Sequence, residues 1–398
     1  MEYKLGYDSW GDEERSAIQR VLDSGRYSMG DETKAFEAEF AEYIGAKHAV
    51  MVNSGSSANL VIISALVQDG RLNPGDEVIV PMLSWATMYY PLWQHGLIPV
   101  FMDIDIQTLT LDVRKLSHER LLSEKTKAVF VPNILGNPAD YNALISFCWE
   151  NDLILIEDNC EGLGSEHFSA YDTKKVGNIG IAGSYSFFFS HHLQTMEGGM
   201  ITTNDDGLAD MMRSIRSHGW SRGTQWEDSS NPYDFIYLGY NVRPIEMSAA
   251  VGRVQLSRIG EFLTERTANA NLFIGLMGGI LGTSVQQVSV DCNSSWFGLA
   301  VRFETKEKRD LVRDALIASG VETRPIISGN FLNQTVMSGY ALNDPRNLDY
   351  RIVCDKNIEH TNSSVIEDTG IMLGNDGFDM SDKIESACEI IGKTKLDV

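Results

Sequence analysis

Two adjacent histidines, His191 and His192, follow an aromatic run in SYSFFFSHHLQTMEGGM, residues 184–200. Glu197 stands six residues after the first histidine, ahead of Gly198 and Gly199. Imidazole titrates near neutrality and is suited to moving protons. Neighbouring side chains of an extended chain point opposite ways, so one of the two histidines is expected to face a cleft. A metal centre is not expected: adjacent histidines rarely converge on one ion, and no third ligand flanks them.

Four further segments could take part. NSGSSA, residues 53–58, offers backbone N–H groups and hydroxyls at a helix start, the makings of a phosphate cradle around Gly55 and Ser56. The same pattern also serves as an ordinary N-cap. Glu157 and Asp158 close the apolar run LILI. A carboxylate at the end of a buried strand needs a cationic or N–H partner, and a protonated pyridine nitrogen would be one. Trp85, in PMLSWATM, could stack on a flat ring, although a lone Trp more often packs in a core or interface. Ser186, in the aromatic run, could bind phosphate or simply bond backbone.

These residues need a scaffold, and the chain predicts one. Short Val/Ile-rich runs at 49–52, 76–80, 98–104, 128–132 and 153–156 alternate with helical segments at 58–66, 85–93 and 141–149. Strands apolar on both faces suggest a mostly parallel sheet covered by helices, an α/β fold whose chemistry sits at the strand C-termini. Further strands are expected at 179–189 and 199–203, and helices at 13–22, at 31–43 with Asp31 as N-cap, at 205–217 and at 244–258. Residues 221–235 read as a polar surface excursion. Beyond about residue 258 the texture becomes α+β. The expected division is a large domain, 1–258, and a smaller C-terminal one, 259–398.

Composition excludes several classes. The chain has 398 residues and a formal charge of -22, which disfavours nucleic acid and anionic membrane surfaces as partners. The cysteines number 5 and are scattered, without a CxxC pair, so neither a disulfide framework nor a local metal cluster is expected. No apolar leader and no membrane span is apparent. A cytoplasmic protein is the simplest expectation.

The order NSGSSA, PMLSWAT, ILIEDNCEGLGS, SYSFFFSHHLQTMEGG, SHGW, LGYNVRPIEMSAAVGRVQL and RPIISGN resembles the DegT/DnrJ/EryC1/StrS sugar aminotransferase family. That resemblance implies a fold-type-I pyridoxal-phosphate (PLP) architecture and a homodimer with shared active sites. It implies that Gly55, Ser56 and Ser186 hold the cofactor phosphate and that Trp85 stacks on its ring. Asp158 would pair with the pyridine nitrogen, and Glu161 would lie near the ring hydroxyl. Asn241 would reach the partner subunit's phosphate. His218, Arg243 and Arg324 become candidates for binding substrate, the arginines through a glutamate carboxylate or a sugar nucleotide.

One departure decides the branch. Family aminotransferases carry a Schiff-base lysine six residues before the Glu of EGG; here the residue is His191. The swap resembles the 3-dehydratase branch, which uses pyridoxamine phosphate (PMP) on nucleotide-linked 4-keto-6-deoxy sugars. His191 would then be the base, working near the ordinary imidazole pKa of ~6.5. The missing cysteine group points to the subtype without an iron–sulfur cluster, which regenerates PMP with glutamate. An aminotransferase using another lysine, and a cofactor-binding homologue without catalysis, are the alternatives.

Overall fold

The computed structural model describes residues 2–169, 172–337, 348–354 and 357–394. Its largest sheet has eight strands, in the spatial order His48–Val52, Gly199–Thr203, Ala182–Ser186, Ile154–Asp158, Thr126–Pro132, Glu77–Pro81, Ile98–Met102 and Arg351–Val353. Gly199–Thr203 runs antiparallel to both of its neighbours, whereas the other strand pairs are parallel. The central strands are buried along their length, as Val/Ile runs covered on both faces require. One face packs on the helices Gly55–Gln68, Ala86–Gln94 and Asp206–Arg216. The opposite face buries Leu144 and Cys148 of the helix Tyr141–Glu150.

Two local expectations change. The strand expected over 179–189 is confined to Ala182–Ser186. The Ile179 and Gly180 N–H groups are drawn off to the Glu157 carboxylate, at 2.7 and 2.6 Å. At the other end Phe188 and Phe189 leave the sheet half-exposed. Asp31 is the first helical residue rather than the cap. The capping is done from a distance by Glu246, whose carboxylate accepts from the N–H groups of Gly30 and Glu32, both at 2.7 Å.

The C-terminal part builds an antiparallel sheet in the order Thr283–Val285, Gly298–Phe303, Gly370–Gly374, Thr323–Arg324. Its core takes in apolar residues of the helices Ile259–Met277, Lys306–Ala318 and Ser381–Lys393. Arg258 sits between the helices Glu246–Ser257 and Ile259–Met277. Two segments cross that point. Arg351–Val353 pairs with Ile98–Met102 in the large sheet. Tyr3 is buried in the C-terminal core, where its hydroxyl donates to the Gly374 carbonyl at 2.8 Å.

Candidate active site

Where the parallel strands end, the chain encloses a cavity of about 340 Å³. The first strand delivers Ser54, Gly55 and Ser56, the second Ser84 and Trp85. The strand Thr126–Pro132 delivers Asn133, Ile154–Asp158 delivers Asp158 and Glu161, and Ala182–Ser186 delivers Ser186 with His191 beyond it. Phe297 and Arg324 close the wall from the C-terminal part.

The helix Gly55–Gln68 points its N-terminus into this space. Ser54 caps it, taking the Ser57 N–H at 3.1 Å. That leaves the first-turn N–H groups of Gly55 and Ser56 for an anion. Gly55 is required here: a Cβ would fall 2.6 Å from Ser186 Cβ and 2.8 Å from Cys160 Sγ. Gly199 is required for the same loop, since its Cβ would sit 2.4 Å from the Ser54 carbonyl.

Asp158 is nearly buried. Asn59 Nδ2 donates to its Oδ2 at 2.8 Å, and the Cys160 N–H donates to Oδ1 at 3.1 Å. Among the described residues no Lys or Arg pairs with it, so the carboxylate remains open to a cationic partner. Glu161 accepts from the Leu135 N–H at 2.9 Å and faces Arg324 at 3.5 Å. Burial outweighs the Arg324 charge and pushes its carboxyl up to about 7. A phosphate cradle, an open carboxylate 7% exposed and the exposed face of Trp85 form a donor set that fits PLP or PMP.

His191 stands on the cavity wall, its ring 5.0 Å from that of Phe297 and 6.2 Å from that of Phe188. Its Nδ1 is enclosed with no hydrogen-bond partner among the described residues. The sequence suggests an imidazole near its ordinary pKa; the structure corrects this. Burial, then the charges of Arg324 and Arg266, hold it down to about 3, so the imidazole is a neutral base. His192 points away from the cavity, buried, with Nε2 3.0 Å from the Ser295 carbonyl.

The cavity therefore brings together Gly55, Ser56, Trp85, Asp158, Glu161, Ser186, His191 and Arg324. Asn241, His218 and Arg243 lie outside it. His218 and Asn241 are exposed and adjacent, through the bridge Ser217–Asn241 and the His218 N–H to the Tyr240 carbonyl at 2.7 Å. Sequence reasoning missed Asn59, Arg266 and Phe297. Asn59 left a signal: it is the lone amide in the apolar stretch ANLVIISAL, one turn beyond Gly55. Arg266 and Phe297 left none, because their part depends on how the C-terminal sheet docks.

Comparison with known proteins agrees with this geometry. The chain is 39% identical, over 99% of its own length and 99% of the relative's, to GDP-4-keto-6-deoxy-D-mannose 3-dehydratase of Yersinia pseudotuberculosis. A solved structure of the Escherichia coli GDP-4-keto-6-deoxy-D-mannose-3-dehydratase with bound hydrated PLP superposes with a TM-score of 0.89 at 38% identity, covering 98% of this chain and 99% of that one. A GDP-4-keto-6-deoxymannose-3-dehydratase structure with a trapped PLP–glutamate geminal diamine matches with a TM-score of 0.89 at 37% identity, covering 98% and 100%. Residues 8–348 match one family along most of the chain; with the fold and the cavity in agreement, the protein belongs to the DegT/DnrJ/EryC1/StrS aminotransferase family.

Proposed function

We propose that this chain is a PMP-dependent dehydratase that removes the 3-hydroxyl of a nucleotide-linked 4-keto-6-deoxy sugar, and that glutamate regenerates its cofactor. The observation that carries the reading is His191 in the lysine position, in a cavity with no lysine among its described lining residues. The names of the relatives favour GDP-4-keto-6-deoxymannose as the substrate and glutamate as the amine donor. The intact cradle and the open Asp158 speak against a scaffold that has lost its cofactor. The missing lysine speaks against an aminotransferase.

Gly55 and Ser56 bind the cofactor phosphate through their N–H groups, with the Ser186 hydroxyl as third donor. Asp158, held by Asn59, keeps the pyridine nitrogen protonated. Trp85 covers the ring. Bound there, PMP supplies a primary amine for the 4-ketone and a protonated ring that takes up an electron pair. His191, neutral in this pocket, would take the proton lost from the aminomethyl carbon of the bound amine on its Nε2, since Nδ1 is enclosed. Its conjugate acid is disfavoured by burial and by Arg324, so it readily protonates the departing 3-hydroxyl. Negative charge on bound phosphate raises the imidazole pKa from its low resting value towards the working pH. Arg324 offers a guanidinium to a substrate carboxylate or phosphate.

A homodimer completes the site in this reading. Asn241, His218 and Arg243 would serve a second copy's cavity. Phe188, Phe189, Met196 and Leu238, large apolar side chains exposed on the single chain, would be covered. No helix among the described residues is long and apolar enough to cross a membrane.

The test is incubation with PMP, glutamate and a panel of GDP-, CDP- and dTDP-linked 4-keto-6-deoxy sugars, followed by mass spectrometry. A product lacking the 3-oxygen supports the reading. No such product from any member of the panel overturns it.

A further inference from the structure

We propose that Phe297 is the positioning residue of His191: its ring, rather than a hydrogen bond, fixes the imidazole and keeps water from the Nδ1 side. The kinetic part of this inference rests on the dehydratase reading; the structural part does not. A general base normally has its second ring nitrogen held by an acceptor that sets tautomer and aim. His191 Nδ1 has no such partner among the described residues.

The ring is held by packing instead. Phe297 is 4% exposed, and its ring meets that of His191 at an interplanar angle of 62°. Its main chain is anchored on both sides. The Phe297 N–H donates to the Leu135 carbonyl at 2.9 Å. Its carbonyl accepts from Arg266 Nη1 at 3.1 Å, and the same nitrogen also donates to the Asn375 carbonyl at 2.7 Å. Leu135 adopts φ 54°, a left-handed conformation that aims its N–H at Glu161 and its carbonyl at Phe297. A strained residue thus serves both partners of the wall.

The same ring carries the Arg324 guanidinium, 5.6 Å from its centroid, and touches His192 at 5.8 Å. Phe297 therefore contacts both the imidazole and a cation. The charged groups around His191 are Arg324 from the strand Thr323–Arg324, Arg266 from the helix Ile259–Met277, and the carboxylates Asp158, Glu161 and Glu197 that share the cavity. His192 adjoins it along the chain. Burial is the largest influence on the imidazole, and Phe297 is among the groups packed against it.

The test uses PMP-loaded protein with 13C-labelled histidine, the His191 signal being assigned by its loss in His191→Asn. In Phe297→Ala, admitted water should move the His191 midpoint up by about one pH unit. Phe297→Leu, which keeps the space filled, should move it less. In the same Leu variant kcat should fall about tenfold with the sugar's KM unchanged, because the imidazole loses its aim. An unmoved midpoint in the Ala variant overturns the proposal, as does an equal rise in both variants. Should the Ala variant not fold, an unchanged kcat in Phe297→Leu overturns it. Absence of dehydration by the wild-type protein would sink the functional reading, yet the titration would still decide what Phe297 does.

Discussion

Asn59 and Asp158 are joined by a 2.8 Å hydrogen bond that ties the helix opening on the cavity at Gly55 to the strand that ends in the cavity's open carboxylate. Asn59 lies on the helix that starts at Gly55. Two walls of the cavity are thus set by one link. Replacing Asn59 by Ala should weaken PLP binding by about 1–3 kcal/mol, roughly 5- to 150-fold, through loss of a buried bond to a charged group. Absorbance titration of the apoprotein with PLP measures it. Undiminished affinity would show that the carboxylate needs no such support.

His191→Asn should keep the cofactor and lose dehydration by about 10²–10⁴-fold, the usual contribution of a positioned acid–base group. His191→Lys should acquire a covalent link to PLP that borohydride makes permanent, visible as an added mass on the peptide 184–200. Its chemistry should shift towards transamination. A His191→Lys variant that dehydrates at the wild-type rate would remove the histidine from the mechanism.

The carboxyl of Glu161, raised to about 7, has a consequence for stability. A carboxyl whose folded pKa exceeds its unfolded value binds more protons in the native state, so folding stability falls as pH rises through that window. The apoprotein should therefore lose stability between about pH 4.5 and 7 from this group alone, on the order of 1–3 kcal/mol. Glu161→Gln removes the loss: its melting temperature should exceed that of wild type at pH 8 and approach it at pH 5. Equal differences at both pH values would contradict the assignment.

Gly199→Ala places a methyl group against the Ser54 carbonyl and must push the Ser54–Gly55 turn aside. A cost of about 1–3 kcal/mol in stability is expected, together with weaker PLP binding. Thermal melts with and without cofactor read both. A variant that binds PLP as the wild type does would mean that the loop yields freely.

The proposed homodimer with shared sites can be tested by mixing variants. Mixed dimers of His191→Asn and Asn241→Ala should regain about a quarter of wild-type activity, since random pairing gives half hybrids with one intact site each. No recovery on mixing, with both parents inactive, would place each site within one chain.

Much of this architecture is legible in the chain because it is local. The Val/Ile strands, the Gly/Ser turn and the carboxylates at strand ends announce the sheet and its active edge. The His191 substitution is readable because it interrupts a motif of fixed spacing. What could not be read depends on distant partners. Glu246 caps a helix more than 200 residues away in sequence, which displaced the cap expected at Asp31. Glu157 takes the N–H groups that would have lengthened the strand Ala182–Ser186. The low pKa of His191 follows from its burial and then from Arg324 and Arg266, and both arginines come from the docked C-terminal part.

Tyr3 anchors to Gly374 across 371 residues of sequence. Its side chain fills a core whose other members are made at the far end of the chain. During synthesis that ring lacks this core until residues 270–391 are made. A contact of such high sequence separation is reached late and slowly. The Tyr3 hydroxyl therefore finds its acceptor only once residues as far along as Gly374 have been added.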